Sequence, residues 1–111
     1  MPKKRPPTIQ MGEGALSNIK LPADYDTLSP ELRREARQEY ARRQKGLCYH
    51  CKAPLDDEPP ASIQKLHINW KLFPPNFLRY PHHLHHSHDT GMTLGVVHAR
   101  CNAVLWQYHG E

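Results

Sequence analysis

The sequence predicts a small α+β fold held by a structural zinc ion, in the order basic helix, metal-binding turn, loop, ββ hairpin and terminal helix. Three observations carry this expectation. With 111 residues and a hydrophobic fraction of 38%, the chain is one domain at most, and scaffolds of this size need a staple to hold a modest core. Its three cysteines, Cys48, Cys51 and Cys101, are an odd number, which speaks for a metal site rather than a disulfide framework. The segment from Leu84 to Ser87 and the apolar run from Leu94 to Val97 flank the turn-forming residues Asp89-Thr90-Gly91, the pattern of a hairpin.

Residues 1–27 hold Pro2, Pro6, Pro7 and Pro22 and no sustained periodicity, and are read as a flexible, basic, proline-rich arm. Lys3, Lys4 and Arg5 have no apolar stretch behind them, so they do not form a secretory signal. The folded domain is expected over residues 28–111, with a helix over 29–46 and a zinc-stapled core over 47–111. Ser29 supplies a hydroxyl N-cap and Pro30 suits the first helical position. Leu32, Ala36 and Tyr40 recur every fourth residue along one stripe, and Gly46 suits the stop.

Residues 52–65 are rich in Pro and Asp and read as loop. Leu66, Ile68, Trp70 and Leu72 alternate with His67, Asn69 and Lys71. That is the period of a half-buried strand, with a short helix as the alternative. Residues 84–87 and 94–97 are the hairpin strands. A terminal helix runs from Ala99 to about Tyr108 and ends at Gly110.

The formal charge of +4 suits an anionic partner without identifying it. The excess is local, in residues 3–5 and in residues 31–45, where six Arg or Lys stand against three Glu. Lys3, Lys4, Arg5, Arg37 and Arg100 are the candidate contacts to nucleic acid. No run of about 18 apolar residues exists, so no transmembrane helix and no membrane partner are expected.

Zinc takes four Cys or His ligands in a tetrahedron when its role is structural. Cys48-x-x-Cys51 offers one pair and His98-x-x-Cys101 a second with the same gap. Two alternatives stand beside this reading. Cys101 is a buried hydrophobe and Cys48/Cys51 a redox pair, or His50 or one of the clustered histidines replaces His98. The first lacks the βαβ context of a redox C-x-x-C.

Residues 82–88 hold five histidines in seven positions, which by itself reads as a loose metal-binding tract. The run His85-His86-Ser87-His88-Asp89-Thr90-Gly91, followed by Leu94-Gly95-Val96-Val97-His98-Ala99-Arg100-Cys101-Asn102, resembles the HNH nucleases. It is most similar to the phage recombination endonuclease VII branch, whose pattern is D-H-x-H-x-T-G and then R-G-L-L-C-x-x-C-N. The resemblance spans Cys48 to about Trp106, with a basic helix ahead of it.

The resemblance implies a ββα-metal (His-Me finger) fold and a metal-dependent DNA endonuclease acting in the cytoplasm of a bacterial or phage-infected cell. By position, His86 matches the general base and His88 a further histidine near the scissile phosphate. His85 takes the place of the metal-binding Asp, and Asn102 matches the second metal-binding side chain. His98 replaces a zinc-binding cysteine. Thr93 stands where many of these proteins have a middle Asn, and Leu94 replaces an Arg. The segment from Cys51 to His85 is longer than in the family.

Phosphodiester hydrolysis needs an activated water and charge stabilisation at the phosphate. A neutral imidazole suits the first task and one divalent cation, Mg²⁺ or Mn²⁺, the second. His85 in place of Asp shifts preference toward Mn²⁺, Co²⁺ or Ni²⁺. A difficulty attends this assignment: adjacent side chains on a strand point to opposite faces, yet His85 and His86 must serve one phosphate. Cutting both strands would favour a homodimer. The rival readings are a non-catalytic, zinc-ribbon-like nucleic-acid-binding module and a protein-interaction or metal-storage protein.

Overall fold

A computed structural model of the chain describes residues 19–110. Three helices, α1 (Pro30–Arg43), α2 (Ala61–Gln64) and α3 (Ala99–His109), surround an antiparallel pair of strands, β1 (His82–His86) and β2 (Thr93–His98). Single 3-10 turns occur at Tyr25–Thr27 and Trp70–Leu72. This is a small α+β arrangement whose hairpin runs directly into α3.

Helix α1 begins as its local chemistry dictates. The Ser29 hydroxyl accepts from the Leu32 N–H and Pro30 occupies the first turn. Lys45 and Gly46 follow with φ of 58° and 77°, ending the helix slightly earlier than the expected 46. Ala36 and Tyr40 are buried, whereas Leu32 stays 39% exposed. Glu39 is buried too, and its carboxylate accepts from Arg42 at 2.6 Å and from Arg43 at 2.8 Å. Two of the helix's five arginines are therefore committed to an internal carboxylate.

The hairpin turn is built by Ser87, whose hydroxyl accepts from the N–H groups of Asp89 and Thr90. Gly91 follows at φ 78°, a left-handed position that glycine fills without a Cβ penalty. Register runs from His82 opposite His98 to His85 opposite Gly95 and then slips, so that His86 faces Thr93 and Leu94 is the extra residue of β2. A β-bulge thus separates His85 from His86.

Of the expected arm, the described residues 19–27 are folded onto the domain. Ile19, Leu21 and Tyr25 pack against the main core cluster, which includes Leu84, Val96, Val97 and Leu105. Ala23 exchanges hydrogen bonds with Thr93: the Thr93 N–H donates to the Ala23 carbonyl at 2.8 Å, and the Ala23 N–H donates to Thr93 Oγ1 at 2.9 Å. Asp24 bridges to Met92. Thr93 is 1% exposed and also meets the Tyr40 hydroxyl at 2.8 Å, so one side chain joins the N-terminal segment, α1 and β2. Lys3, Lys4 and Arg5 lie outside the described residues.

Residues 66–72 are not a strand. Ile68 alone of the four alternating apolar residues is buried, against Ala103 and Val104. The backbone on either side of it is satisfied by α3 side chains. Gln107 Oε1 accepts from the Asn69 N–H at 2.9 Å, while Gln107 Nε2 and the Tyr108 hydroxyl donate to the His67 carbonyl. A glutamine amide does here what a neighbouring strand would do, so no sheet forms. The expected loop at 52–65 likewise contains α2, capped by the Pro60 carbonyl.

Candidate functional site

Cys48, Cys51, His98 and Cys101 converge, with their ligand atoms all within 4.8 Å of one another. Two local structures bring them there. The first is the turn after α1, where the Cys48 sulfur accepts from the N–H groups of His50 and Cys51 at 3.4 and 3.5 Å. Lys52 turns it back at φ 67°. The second is the junction of β2 and α3, which supplies His98 and, one turn on, Cys101. The Tyr49 N–H donates to the Val96 carbonyl, tying the two halves together.

His98 Nδ1 lies 3.4 Å from Cys51 Sγ and 3.7 Å from Cys101 Sγ. A tetrahedral zinc ion with ordinary bond lengths sets nitrogen and sulfur ligands about 3.6 Å apart. The other ring nitrogen, Nε2, faces the carbonyls of Pro54 at 2.9 Å and Asp57 at 2.8 Å. Carbonyls only accept, so Nε2 carries the proton and Nδ1 keeps its lone pair for a metal. Proximity of three sulfurs also perturbs their titration. A hydrogen bond from Cys101 holds the Cys48 thiol well below its usual value, and the same bond, with burial, pushes Cys101 up. Burial raises Cys51. Without a cation the cluster cannot ionise all three; a zinc ion would resolve that conflict. The four residues can hold structural zinc.

The second constellation occupies the far end of β1. His85, His86, His88 and Asn102 all line one cavity of about 280 Å³, with Leu72, Phe73, Phe77 and Trp106 as its apolar wall. Although adjacent on β1, His85 and His86 both line this cavity, at the point where the strand pairing slips past Leu94 of β2. His85 is 1% exposed and lies against Tyr49, with ring centroids 6.1 Å apart. Opposite it, Gly95 leaves room where a Cβ would stand 2.7 Å from Gln44 Oε1 and from Tyr49 Cδ1.

Asn102 is carried into the cavity by α3, one residue after Cys101, and its amide nitrogen meets His83 Nδ1 at 3.2 Å. Burial depresses the His83 pKa and so favours the neutral ring. With the amide nitrogen turned to His83, the amide oxygen remains available to a cation. His86 stacks on Tyr25 with centroids 4.0 Å apart and planes 13° apart, and Arg33 covers the opposite face of that phenol at 3.9 Å. His86 Nδ1 is buried and has no hydrogen-bond partner among the described residues. Burial first, then the neighbouring His88 and His85, lower its pKa. His88 is exposed, its ring 5.2 Å from that of His86.

A second cavity of about 610 Å³ shares Pro74, Phe77, His86 and Asn102 with the first and adds Arg34 and Arg37. Arg37 is thus placed beside His83 and His86, and burial lowers its pKa below the ordinary value. Arg100 is not brought there. Its guanidinium donates to the Gln64 and Leu66 carbonyls at 3.0 and 3.2 Å and stands over Trp70 at 5.6 Å. Tyr25, Arg33 and Arg34 have no marker in the sequence that ties them to a histidine some fifty residues away. Only the fold makes them neighbours.

Compared with protein families, with curated proteins and with solved structures, the chain matches none. Among the described residues no helix is long and apolar enough to cross a membrane.

Proposed function

We propose that this chain is a metal-dependent DNA endonuclease of the HNH type, with the zinc-ligand cluster serving structure and the histidine cavity serving chemistry. One observation carries the reading. His85 and His86, on either side of the register slip, line a single cavity together with His88 and Asn102. A zinc-binding scaffold alone needs none of these four side chains.

In this reading His86 takes the proton of the attacking water. Its ring is held in plane by Tyr25, and burial keeps it neutral below its ordinary value of 6.5, so a base is present throughout the physiological range. His85 and Asn102 both line that cavity, and an imidazole with an amide oxygen is a donor set that would fit a divalent cation keeping several waters. When bound, Mg²⁺ or Mn²⁺ supplies positive charge against the phosphate and the leaving oxygen. Arg37 and Arg34, on the adjoining wall, hold the phosphodiester backbone against His86. His88, exposed at the rim, donates a hydrogen bond toward a phosphate oxygen.

The test is incubation of the zinc-loaded protein with supercoiled plasmid and Mn²⁺ or Mg²⁺, beside His86→Ala. Nicked or linear product is expected from the parent chain, with a loss of at least about a hundredfold in the variant. Equal cleavage by both would refute the assignment of His86. Retention of plasmid without cleavage by either protein would leave the non-catalytic nucleic-acid-binding module.

A further inference from the structure

We propose that the aromatic wall of the histidine cavity is a binding site for an unpaired DNA base, so that the strand engaged at His86 is single-stranded there. This rests on the nuclease reading and adds the class of its substrate.

Trp106 follows Asn102 by four residues on α3, which places both on one face of the helix. Both line the histidine cavity. The indole is 42% exposed, and Leu72 beside it is 50% exposed. The wall behind is not loose. Phe73 meets Trp106 edge-on at 5.5 Å, and Phe73 in turn packs against Phe77 at 4.7 Å. The open indole is therefore held in place by a buttress, as a stacking platform must be.

Charge decides the occupant. No Asp or Glu lines either of the two joined cavities among the described residues, whereas Arg34 and Arg37 line one of them. The cleft thus has a cationic half and an aromatic half, which meet at His86 and Asn102. A nucleotide has the same division, with a phosphate at one end and a π-face at the other. In a duplex the base faces are stacked against each other, and none is free to reach an indole beside its own phosphate. An unpaired nucleotide meets both halves at once, with its phosphate toward Arg37 and its base against Trp106.

The experiment uses the full chain, zinc-loaded and carrying His86→Ala so that binding is read without cleavage. Fluorescein-labelled DNA of one sequence is titrated at fixed salt as a single strand and as a blunt duplex, with the RNA single strand as a third arm. The single DNA strand should bind at least about tenfold tighter than the duplex and quench tryptophan emission. Trp106→Leu, which keeps apolar bulk against Phe73 but has no stacking face, should lose about tenfold on the single strand and little on the duplex. Trp106→Phe should retain most of the affinity.

Equal affinity for single strand and duplex would overturn the proposal, as would a Trp106→Leu variant that binds both as the parent does. Tighter binding of the RNA strand would overturn the assignment to DNA. Since no arm depends on cleavage, a negative result here leaves the plasmid test undecided, and a negative plasmid test leaves this one standing.

Discussion

Tyr25 and Arg33 stand to His86 as a backing plate, with cation, phenol and imidazole in three layers. The imidazole Nδ1 is buried and has no hydrogen-bond partner among the described residues, so stacking on Tyr25 is a main contact orienting the ring. Tyr25→Ala should accordingly lower kcat for plasmid cleavage about tenfold or more with KM little changed, while Tyr25→Phe restores the rate. A phenylalanine variant as poor as the alanine would point instead to the hydroxyl. At this scale the sequence was uneven in what it disclosed. The Cys48, Cys51, His98, Cys101 cluster was legible because two pairs with equal gaps need only local geometry, and the resemblance pointed to Asn102 through its place after Cys101. Tyr25 was not, since nothing in Asp24-Tyr25-Asp26 signals a partner on a distant strand.

Among the elements, the hairpin is fastened to the end of α1 by its C-cap residue Gln44, besides the Tyr40–Thr93 contact. Gln44 Oε1 accepts from the Val96 N–H at 3.0 Å, and Nε2 donates to the carbonyls of Leu47 and Val96. That approach is possible because Gly95 carries no side chain. Gly95→Ala should therefore destabilise the protein by about 1–3 kcal/mol, the usual cost of overfilling a packed site. Urea unfolding would read this as a lower midpoint, and an unchanged midpoint would mean that Gln44 and Tyr49 yield freely. Helix α1 and the hairpin turn were readable from capping and turn residues, whose effects are short-range. Residues 66–72 misled because their alternation is real, yet the backbone they would pair is satisfied by Gln107 and Tyr108 of α3. The bulge was hidden for a similar reason: it belongs to the pairing of two strands and to neither strand alone.

For the whole molecule, the zinc-ligand cluster joins the turn after α1 to the junction of β2 and α3, and most of the main core lies between these pieces. Structural zinc contributes roughly 10 kcal/mol or more to small domains, comparable to the entire stability of a chain this size. Removal of zinc by a strong chelator, or Cys48→Ser, should collapse the far-ultraviolet circular dichroism. Unchanged spectra after metal analysis shows the zinc gone would refute a structural role. Binding of the ion must displace the protons that Cys101 and Cys51 hold in its absence, so zinc affinity should fall as pH is lowered.

Cys101 and Asn102 are neighbours in α3, the one among the zinc ligands and the other in the histidine cavity. If the cluster holds structural zinc, a preparation in which some molecules lack it should be a mixture of chains with Asn102 fixed and chains with Asn102 free to move. On the proposed nuclease reading, specific activity in such a preparation should follow moles of bound zinc rather than moles of polypeptide. Rates from different batches become comparable only after each is divided by its metal content.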